Sequence, residues 1–323
     1  MKIEIEKCHD MTDRSEISKK KRLIELLEPL ATKEWFTESS LKEVKFIRSN
    51  TSIPRMPVAY EPSIVIIAQG RKLGYLANEV YTYDPHNYLV LSVPLPLDCE
   101  TIASPSEPLL GISISVDASR VSELLLQMDD SGFLSGPVPR GIYSTALTDE
   151  LIDATTRLLE CLGKPLDGRI LGPQIIREII YRVLSGEQGG ALRSLASRHS
   201  HFSQITKVLK RMHTEFDTAF DIPTLASEAN MSVSSFHNNF KAVTASSPLQ
   251  YLKNIRLHKA RLLMAQDGIN ASNAASKVGY ESASQFSREF KRYFGNTPTE
   301  EAAKIRTLVG AIRGGKMEKR GET

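Results

Sequence analysis

The sequence predicts an α+β chain: an N-terminal β-barrel of jelly-roll type with flanking helices, then an all-α C-terminal domain of two helix-turn-helix units joined by a long helix. Three observations carry this prediction. A short pattern occurs twice between Ser232 and Pro298, its partners offset by 50 residues. Short β-branched segments separated by Pro, Gly, Asn and Asp fill residues 44 to 116. Charge is also uneven, although the formal net value is only +3: residues 1–200 carry 23 Lys and Arg against 27 Asp and Glu, residues 201–300 carry 12 against 8, and residues 301–323 carry 6 against 3. The basic surplus lies where a polyanion would dock. At 323 residues the chain can bury two cores, and the expected division is a strand-rich domain over 1–190, a helical domain over 195–300 and a basic tail over 301–323.

In chain order, Arg14 to Leu30 spaces Ile17, Ile24, Leu27 and Leu30 against Lys19 to Arg22, the pattern of an amphipathic helix. Strands are expected at Ser63–Ala68, Arg71–Leu76, Glu79–Tyr83, Tyr88–Val93, Cys99–Ala103 and Leu109–Val116. So many short strands at close spacing suggest a small barrel or jelly roll. Tyr75, Tyr81, Tyr83 and Tyr88 are candidates for its core or for a pocket lining. Helical periodicity returns at Ala118–Met128, Thr148–Leu162 and Ile170–Leu184, where the Ile175 to Val183 stripe serves either to cover the barrel or to self-associate. Ser185–Gly190 reads as a linker or tight turn, with the domain boundary between it and Gln204.

The repeat has a physical reading. In each copy a serine precedes phenylalanines four apart, Ser232 with Phe236 and Phe240, Ser282 with Phe286 and Phe290. This predicts a capped helix anchored on one side, and Gln285 stands at capping-box spacing from Ser282. The opposite face is then polar and partly cationic: Ser234, His237, Asn238 and Lys241 in the first copy, Ser284, Ser287, Arg288 and Lys291 in the second. Upstream, Leu225-Ala226 and Ala274-Ala275 begin shorter helices that end at Asn230 and Gly279, residues that tolerate a left-handed backbone. Ser247-Pro248 then caps a helix running to Gly268. About 19 residues make a strut of roughly 28 Å, long enough to place two recognition helices in successive major grooves, which recur every ~34 Å.

The stretch from Gln204 to Thr299 resembles the DNA-binding domain of the AraC-type transcription regulators. The resemblance rests on Ala226, Met231-Ser232 and Phe240-Lys241, then on Ala275, Val278-Gly279-Tyr280, Phe286, Arg288, Phe290-Lys291, Phe294-Gly295 and Pro298. Asn230 and Ala245 replace glycines usual in that family. By the resemblance, base-reading positions fall on Ser234, His237 and Asn238 and on Ser284, Gln285 and Arg288, while Lys241 and Lys291 touch phosphate. The strand region is similar to the cupin-like N-terminal half of one group of these regulators, through Pro62-Ser-Ile-Val, Gln69-Gly70 and Tyr88 to Leu95.

Other classes find little support. Cys8, Cys99 and Cys161 offer neither a disulfide framework nor a zinc spacing. In the strand region His86 stands alone beside Pro85 and Asn87, so no metal and no cofactor are expected. No nucleophile elbow, dinucleotide fingerprint or phosphate loop occurs, and no catalytic residue is assigned. The longest apolar run, Ile64 to Ala68, is too short to span a bilayer, so a cytoplasmic protein without a membrane partner is expected. The reading is a non-enzymatic, sequence-specific transcription regulator, an activator by family resemblance. Its expected partners are double-stranded promoter DNA, RNA polymerase, a small organic effector and a second copy of itself. The alternatives are a non-specific architectural DNA-binding protein and a cupin enzyme fused to a DNA-binding domain.

Overall fold

The computed structural model describes residues 17–128, 138–196 and 200–305. The chain falls into two compact units, with the main division between Ser203 and Gln204.

Among the described residues the first unit has ten strands: β1 (Trp35–Glu38), β2 (Val44–Ser49), β3 (Ile53–Tyr60), β4 (Ser63–Gln69), β5 (Arg71–Leu76), β6 (Glu79–Tyr83), β7 (Asn87–Leu91), β8 (Leu95–Ile102), β9 (Leu109–Ser115) and β10 (Ile142–Ala146). They form a six-stranded sheet, ordered β1-β2-β9-β4-β7-β10, and a four-stranded sheet, ordered β3-β8-β5-β6. The expected barrel of jelly-roll type is therefore corrected to two open sheets. Each ladder keeps two edge strands, and the chain passes from the small sheet to the large one through the turn between β6 and β7, where Asp84 and Asn87 form an isolated bridge. Strand spacing and alternation are the same in a closed barrel and in paired sheets, so the pattern alone does not separate them.

Strand β4 is central to the large sheet and buried along Ser63–Ala68. Ile64, Ile66 and Ala68 join the helix-covered core, while Val65 and Ile67, buried equally well, point to the other face. Gly111 on β9 is required by this packing, because a Cβ there would lie 2.6 Å from Ile67 Cδ1 and 2.7 Å from the Ile66 carbonyl.

Five helices complete the described first unit: α1 (17–30), α2 (Ala118–Gln127), α3 (Asp149–Leu162), α4 (Pro165–Ser185) and α5 (Gly190–Ala196). Their apolar stripes enter one core with the large sheet, including Leu23 and Leu27 of α1, Val121 of α2, Leu158 and Leu159 of α3, and Ile176, Ile179 and Ile180 of α4. The Ile175–Val183 stripe is thus used to cover the sheet and is not free for self-association. The first unit also continues past 190, since α5 puts Ala191 and Leu192 into the same core. His86 lies exposed in the β6–β7 turn, with its Nδ1 2.9 Å from Lys20 Nζ.

The second unit is helical: α6 (His201–Thr214), α7 (Ile222–Glu228), α8 (Val233–Thr244), α9 (Pro248–Gln266), α10 (Ala271–Lys277), α11 (Ala283–Phe294) and α12 (298–305). Residues 301–305, expected to open a loose tail, instead complete α12, which Thr297 caps by accepting a hydrogen bond from the Glu300 N–H while Glu300 accepts from the Thr297 N–H at 2.8 Å. That reciprocal pairing satisfies two donors at once. The remainder of the expected tail lies outside the described residues. No described helix is long and apolar enough to cross a membrane.

Candidate nucleic-acid interface

Helices α7–α8 and α10–α11 form two helix-turn-helix units built by the same local chemistry. In each, the residue after the turn donates its N–H back to an alanine carbonyl, Met231 to Ala226 at 2.9 Å and Tyr280 to Ala275 at 3.0 Å. The turns adopt left-handed conformations at Asn230 (φ 52) and Gly279 (φ 79). The helix that follows starts at a serine whose hydroxyl accepts the N–H three residues on, Ser232 from Ser235 and Ser282 from Gln285, both at 3.2 Å. Only half of the capping box expected at Ser282 forms, because the Gln285 side chain turns to Glu289 instead. The helices end at further left-handed residues, Ala245 (φ 60) and Gly295 (φ 79).

The phenylalanines fix which face looks outward. Phe236 and Phe240 are fully buried with ring centroids 5.6 Å apart, and Phe240 meets Tyr251 of α9 edge-on at 5.4 Å. Phe286 and Phe290 repeat this at 5.4 Å, and Phe290 packs on Phe294 at 4.5 Å. Burying each such ring contributes about 2–3 kcal/mol. With those faces inward, Ser234, Asn238 and Lys241 of α8 and Ser284, Gln285, Arg288 and Lys291 of α11 are exposed, and His237 is half-buried against Phe236. All eight sequence-predicted site residues stand on the two recognition helices, four on each. Gln285, Arg288, Glu289 and Arg292 border one shallow open depression of about 430 Å³ on α11.

The structure adds supporting residues that the sequence reading passed over. Glu289, inward of Arg288 on α11, accepts hydrogen bonds from Lys253 Nζ of α9 at 2.8 Å, from Tyr280 Oη at 2.9 Å and from Gln285 Nε2 at 3.2 Å. Burial pushes its carboxyl up, yet these three donors outweigh it and hold the pKa below the usual carboxylate range. Arg256 of α9 donates to three carbonyls, Phe216 at 2.7 Å, Thr218 at 2.7 Å and Gly279 at 2.9 Å, and so ties the second turn to the connecting helix. The four-residue spacing of Gln285 and Glu289 was visible in the sequence; the approach of Lys253 and Arg256 from another helix was not.

The first unit carries its own polar cluster within the small sheet. Tyr60 Oη lies 2.8 Å from Tyr83 Oη, and the Cys99 thiol is 3.4 Å from Tyr60 Oη and 3.5 Å from Tyr83 Oη. Lys72 Nζ stands 5.7 Å from the Tyr60 ring centroid and 6.0 Å from that of Tyr83. Burial lowers the Lys72 pKa and raises both phenols well above their usual value, and among the described residues no carboxylate pairs with Lys72. Of the four tyrosines singled out in the sequence, Tyr83 and Tyr88 are buried, whereas Tyr75 points to the other face, where its hydroxyl meets Glu100 at 2.8 Å beneath Arg55, and Tyr81 is half-buried beside Glu79. No group of three His, Cys, Asp or Glu side chains suited to a metal ion occurs among the described residues.

Two family models match the chain. One, described as the AraC-type transcriptional regulator N-terminus, covers residues 40–191, and the other, a helix-turn-helix domain, covers 225–304. The transcriptional regulator AlkR of Acinetobacter baylyi is 33% identical over 95 residues, 29% of this chain and 31% of that protein. The RCS-specific transcriptional activator RclR of Escherichia coli is 37% identical over 91 residues, 28% of this chain and 32% of its own. These matches span about a third of each relative's length. In fold, the chain is similar to ToxT of Vibrio cholerae, with a TM-score of 0.55 at 12% identity over 83% of this chain and 98% of that one. ToxT with an unsaturated fatty acid bound gives a TM-score of 0.50 at 12% identity, over 80% and 94% of the two chains.

Proposed function

The chain belongs to the AraC-type transcriptional regulators, and from that premise we propose that it is a sequence-specific DNA-binding regulator that reads two adjacent major grooves of promoter DNA. The observation that carries the reading is the repeated unit, in which buried phenylalanine pairs turn two different polar faces outward. Ser234, His237 and Asn238 read one half-site; Ser284, Gln285 and Arg288 read the other. Lys241 and Lys291 bind phosphate. Two unlike faces suit a sequence reader better than an architectural protein, which needs only charge.

The first unit, cupin-like by resemblance, is the regulatory half. It binds a small organic effector, and the Lys72, Tyr60, Tyr83 and Cys99 cluster supports an amphipathic ligand whose polar end meets the ammonium. The unsaturated fatty acid bound by ToxT is a ligand of that kind. The protein acts in the cytoplasm as an activator that contacts RNA polymerase, pairs with a second copy, and performs no catalysis.

The test separates reading from positioning. Arg288→Ala removes a bidentate guanine contact, so it costs ~1–3 kcal/mol on the specific site and relaxes preference at one position. Lys241→Ala weakens specific and random DNA alike and lowers the slope of log K against log salt by about one. Fluorescence anisotropy at several salt concentrations measures both quantities. Equal losses on specific and random duplexes for Arg288→Ala would refute the assignment.

A further inference from the structure

The Glu289 carboxylate faces the one predicted base reader whose amide is already engaged. Gln285 lies one helical turn before Glu289, and its Nε2 is 3.2 Å from Glu289 Oε1. An ionised carboxylate only accepts hydrogen bonds, so the Gln285 group beside it is the NH₂ and not the carbonyl. Turning the amide over would set an oxygen against a carboxylate oxygen. Glu289 does not swing away to permit this, because Lys253 Nζ holds Oε1 at 2.8 Å and Tyr280 Oη holds Oε2 at 2.9 Å, and its side chain is 13% exposed. What Gln285 presents outward is then set: its carbonyl oxygen and its second N–H, on an exposed position at the start of α11.

An acceptor beside a donor on one planar group is the complement of adenine in the major groove, where N6–H donates and N7 accepts. Resting on the reading that α11 enters the major groove, we propose that Glu289 is a specificity-determining positioning residue that fixes the Gln285 amide as an adenine reader. The first recognition helix lacks the device. Asn239, fifty residues before Glu289, donates its amide to the Ser235 carbonyl at 2.9 Å and hydroxyl at 3.1 Å, and Ser235 replaces Gln285. A glutamine amide fixed in this way therefore belongs to the second half-site alone.

Site selection from random-sequence duplexes, with the full-length protein, tests this. The wild type is expected to select adenine at one position of the second half-site, and Gln285→Ala to lose it. Glu289→Met removes both carboxylate oxygens at a similar side-chain length and so frees the Gln285 amide to take either orientation. It is expected to lower the adenine preference at that position by roughly threefold or more, within the range of a bidentate contact, while the guanine preference set by Arg288 stays. In a Gln285→Ala background Glu289→Met should change nothing further at that position. A purely structural role would instead reduce the adenine and guanine preferences together, and that result would overturn the proposal, as would an unchanged adenine preference in Glu289→Met. Glu289→Asp, which keeps the carboxylate, serves as a second variant if Glu289→Met unfolds, and an undiminished adenine preference in it would likewise count against the proposal because the shorter side chain no longer reaches Gln285. A wild-type protein that selects no sequence at all would sink the DNA-reading function itself, a distinguishable outcome.

Discussion

Acid should unfold the DNA-binding unit through two histidines that the fold keeps neutral. His258 of α9 is 6% exposed, with Nε2 3.1 Å from Tyr293 Oη and the Tyr293 and Phe294 rings edge-on at 5.5 and 5.4 Å. Burial, then the charges of Arg261 and His213, push its pKa down to about 3. His213 of α6 has Nε2 2.9 Å from Tyr251 Oη, and burial with the nearby Lys259 pushes its pKa down to about 4. Both values lie below the ~6.5 of an unfolded histidine, so the unfolded chain binds more protons as pH falls. Stability is therefore complete above about pH 6.5 and is lost as pH drops toward the folded pKa values. Each pH unit in that window costs about 1.4 kcal/mol per histidine. From pH 7 to pH 5 the loss is about 2 kcal/mol for each and about 4 kcal/mol for the pair, a large share of the ~5–15 kcal/mol typical of a domain.

The assay is hydrogen exchange of the slowest amides of α9 in the full-length chain, corrected for intrinsic rate, at pH 7, 6 and 5. The window lies above the ~4 of an ordinary carboxylate, and Glu289 and Glu300 are held below that range by their hydrogen-bond donors. Whatever pH dependence appears should therefore trace to the histidines. In a His213→Gln/His258→Gln double variant, less stable at pH 7 through lost ring packing, the drop between pH 7 and pH 5 should almost vanish. A drop of the same size in variant and wild type would refute the reasoning.

Backbone geometry and the regulatory unit supply two further predictions each. Ala245 ends α8 in a left-handed conformation that costs a non-glycine residue ~1–2 kcal/mol; Ala245→Gly removes that strain against ~0.5–1 kcal/mol of added unfolded-chain entropy, so thermal melting should show a gain of a few tenths to one kcal/mol. Gly279→Ala should do the opposite by about 2–4 kcal/mol, since it combines φ 79 with a Cβ 2.3 Å from the Asp217 carbonyl oxygen. Deleting residues 1–185 should leave DNA binding intact and abolish the response to inducing conditions, and Lys72→Met should do the same to the response of the full chain, read with a promoter-reporter fusion. A Lys72→Met protein that is folded and induces normally would remove the cluster from the effector site.

The architecture of the second unit was legible because its determinants are local. A serine cap, a phenylalanine pair at helical spacing and a residue that accepts positive φ lie within about a dozen positions of one another, and their repetition fixed the phase of both recognition helices. Ser232, Ser282, Asn230 and Gly279 all play the roles their chemistry suggested. In the first unit β4 to β9 are legible as β-branched or aromatic runs, β2 and β3 only as part of a strand-rich stretch, and β1 and β10 not at all: the four residues of β1 begin at Trp35 with φ 71, and β10 lies far from the other strands in sequence yet pairs with β7. Whether sheets close depends on pairings between distant strands, which alternation within a strand does not encode. The Lys72 cluster escaped for the same reason, since Tyr60, Lys72, Tyr83 and Cys99 come from four strands.

The repeat also hides what distinguishes its copies. Equal spacing of Ser232 and Ser282, Phe236 and Phe286, and Phe240 and Phe290 makes the two units look interchangeable, yet they are fastened to α9 by different means. The first recognition helix meets α9 through an edge-on contact between Phe240 and Tyr251, an apolar joint whose strength follows buried area. The second adds the Glu289–Lys253 ion pair, partly shielded from water, and the Arg256 clamp on the Gly279 carbonyl, which reward one orientation and penalise departures from it. An apolar joint tolerates small rotations; a set of directional hydrogen bonds does not. The second helix thus carries directional restraints from Lys253 and Arg256 that Phe240 and Tyr251 do not supply to the first, and the positions where the copies diverge, Asn239 against Glu289 and Ser235 against Gln285, are those where the proposed reading places the difference between its two half-sites.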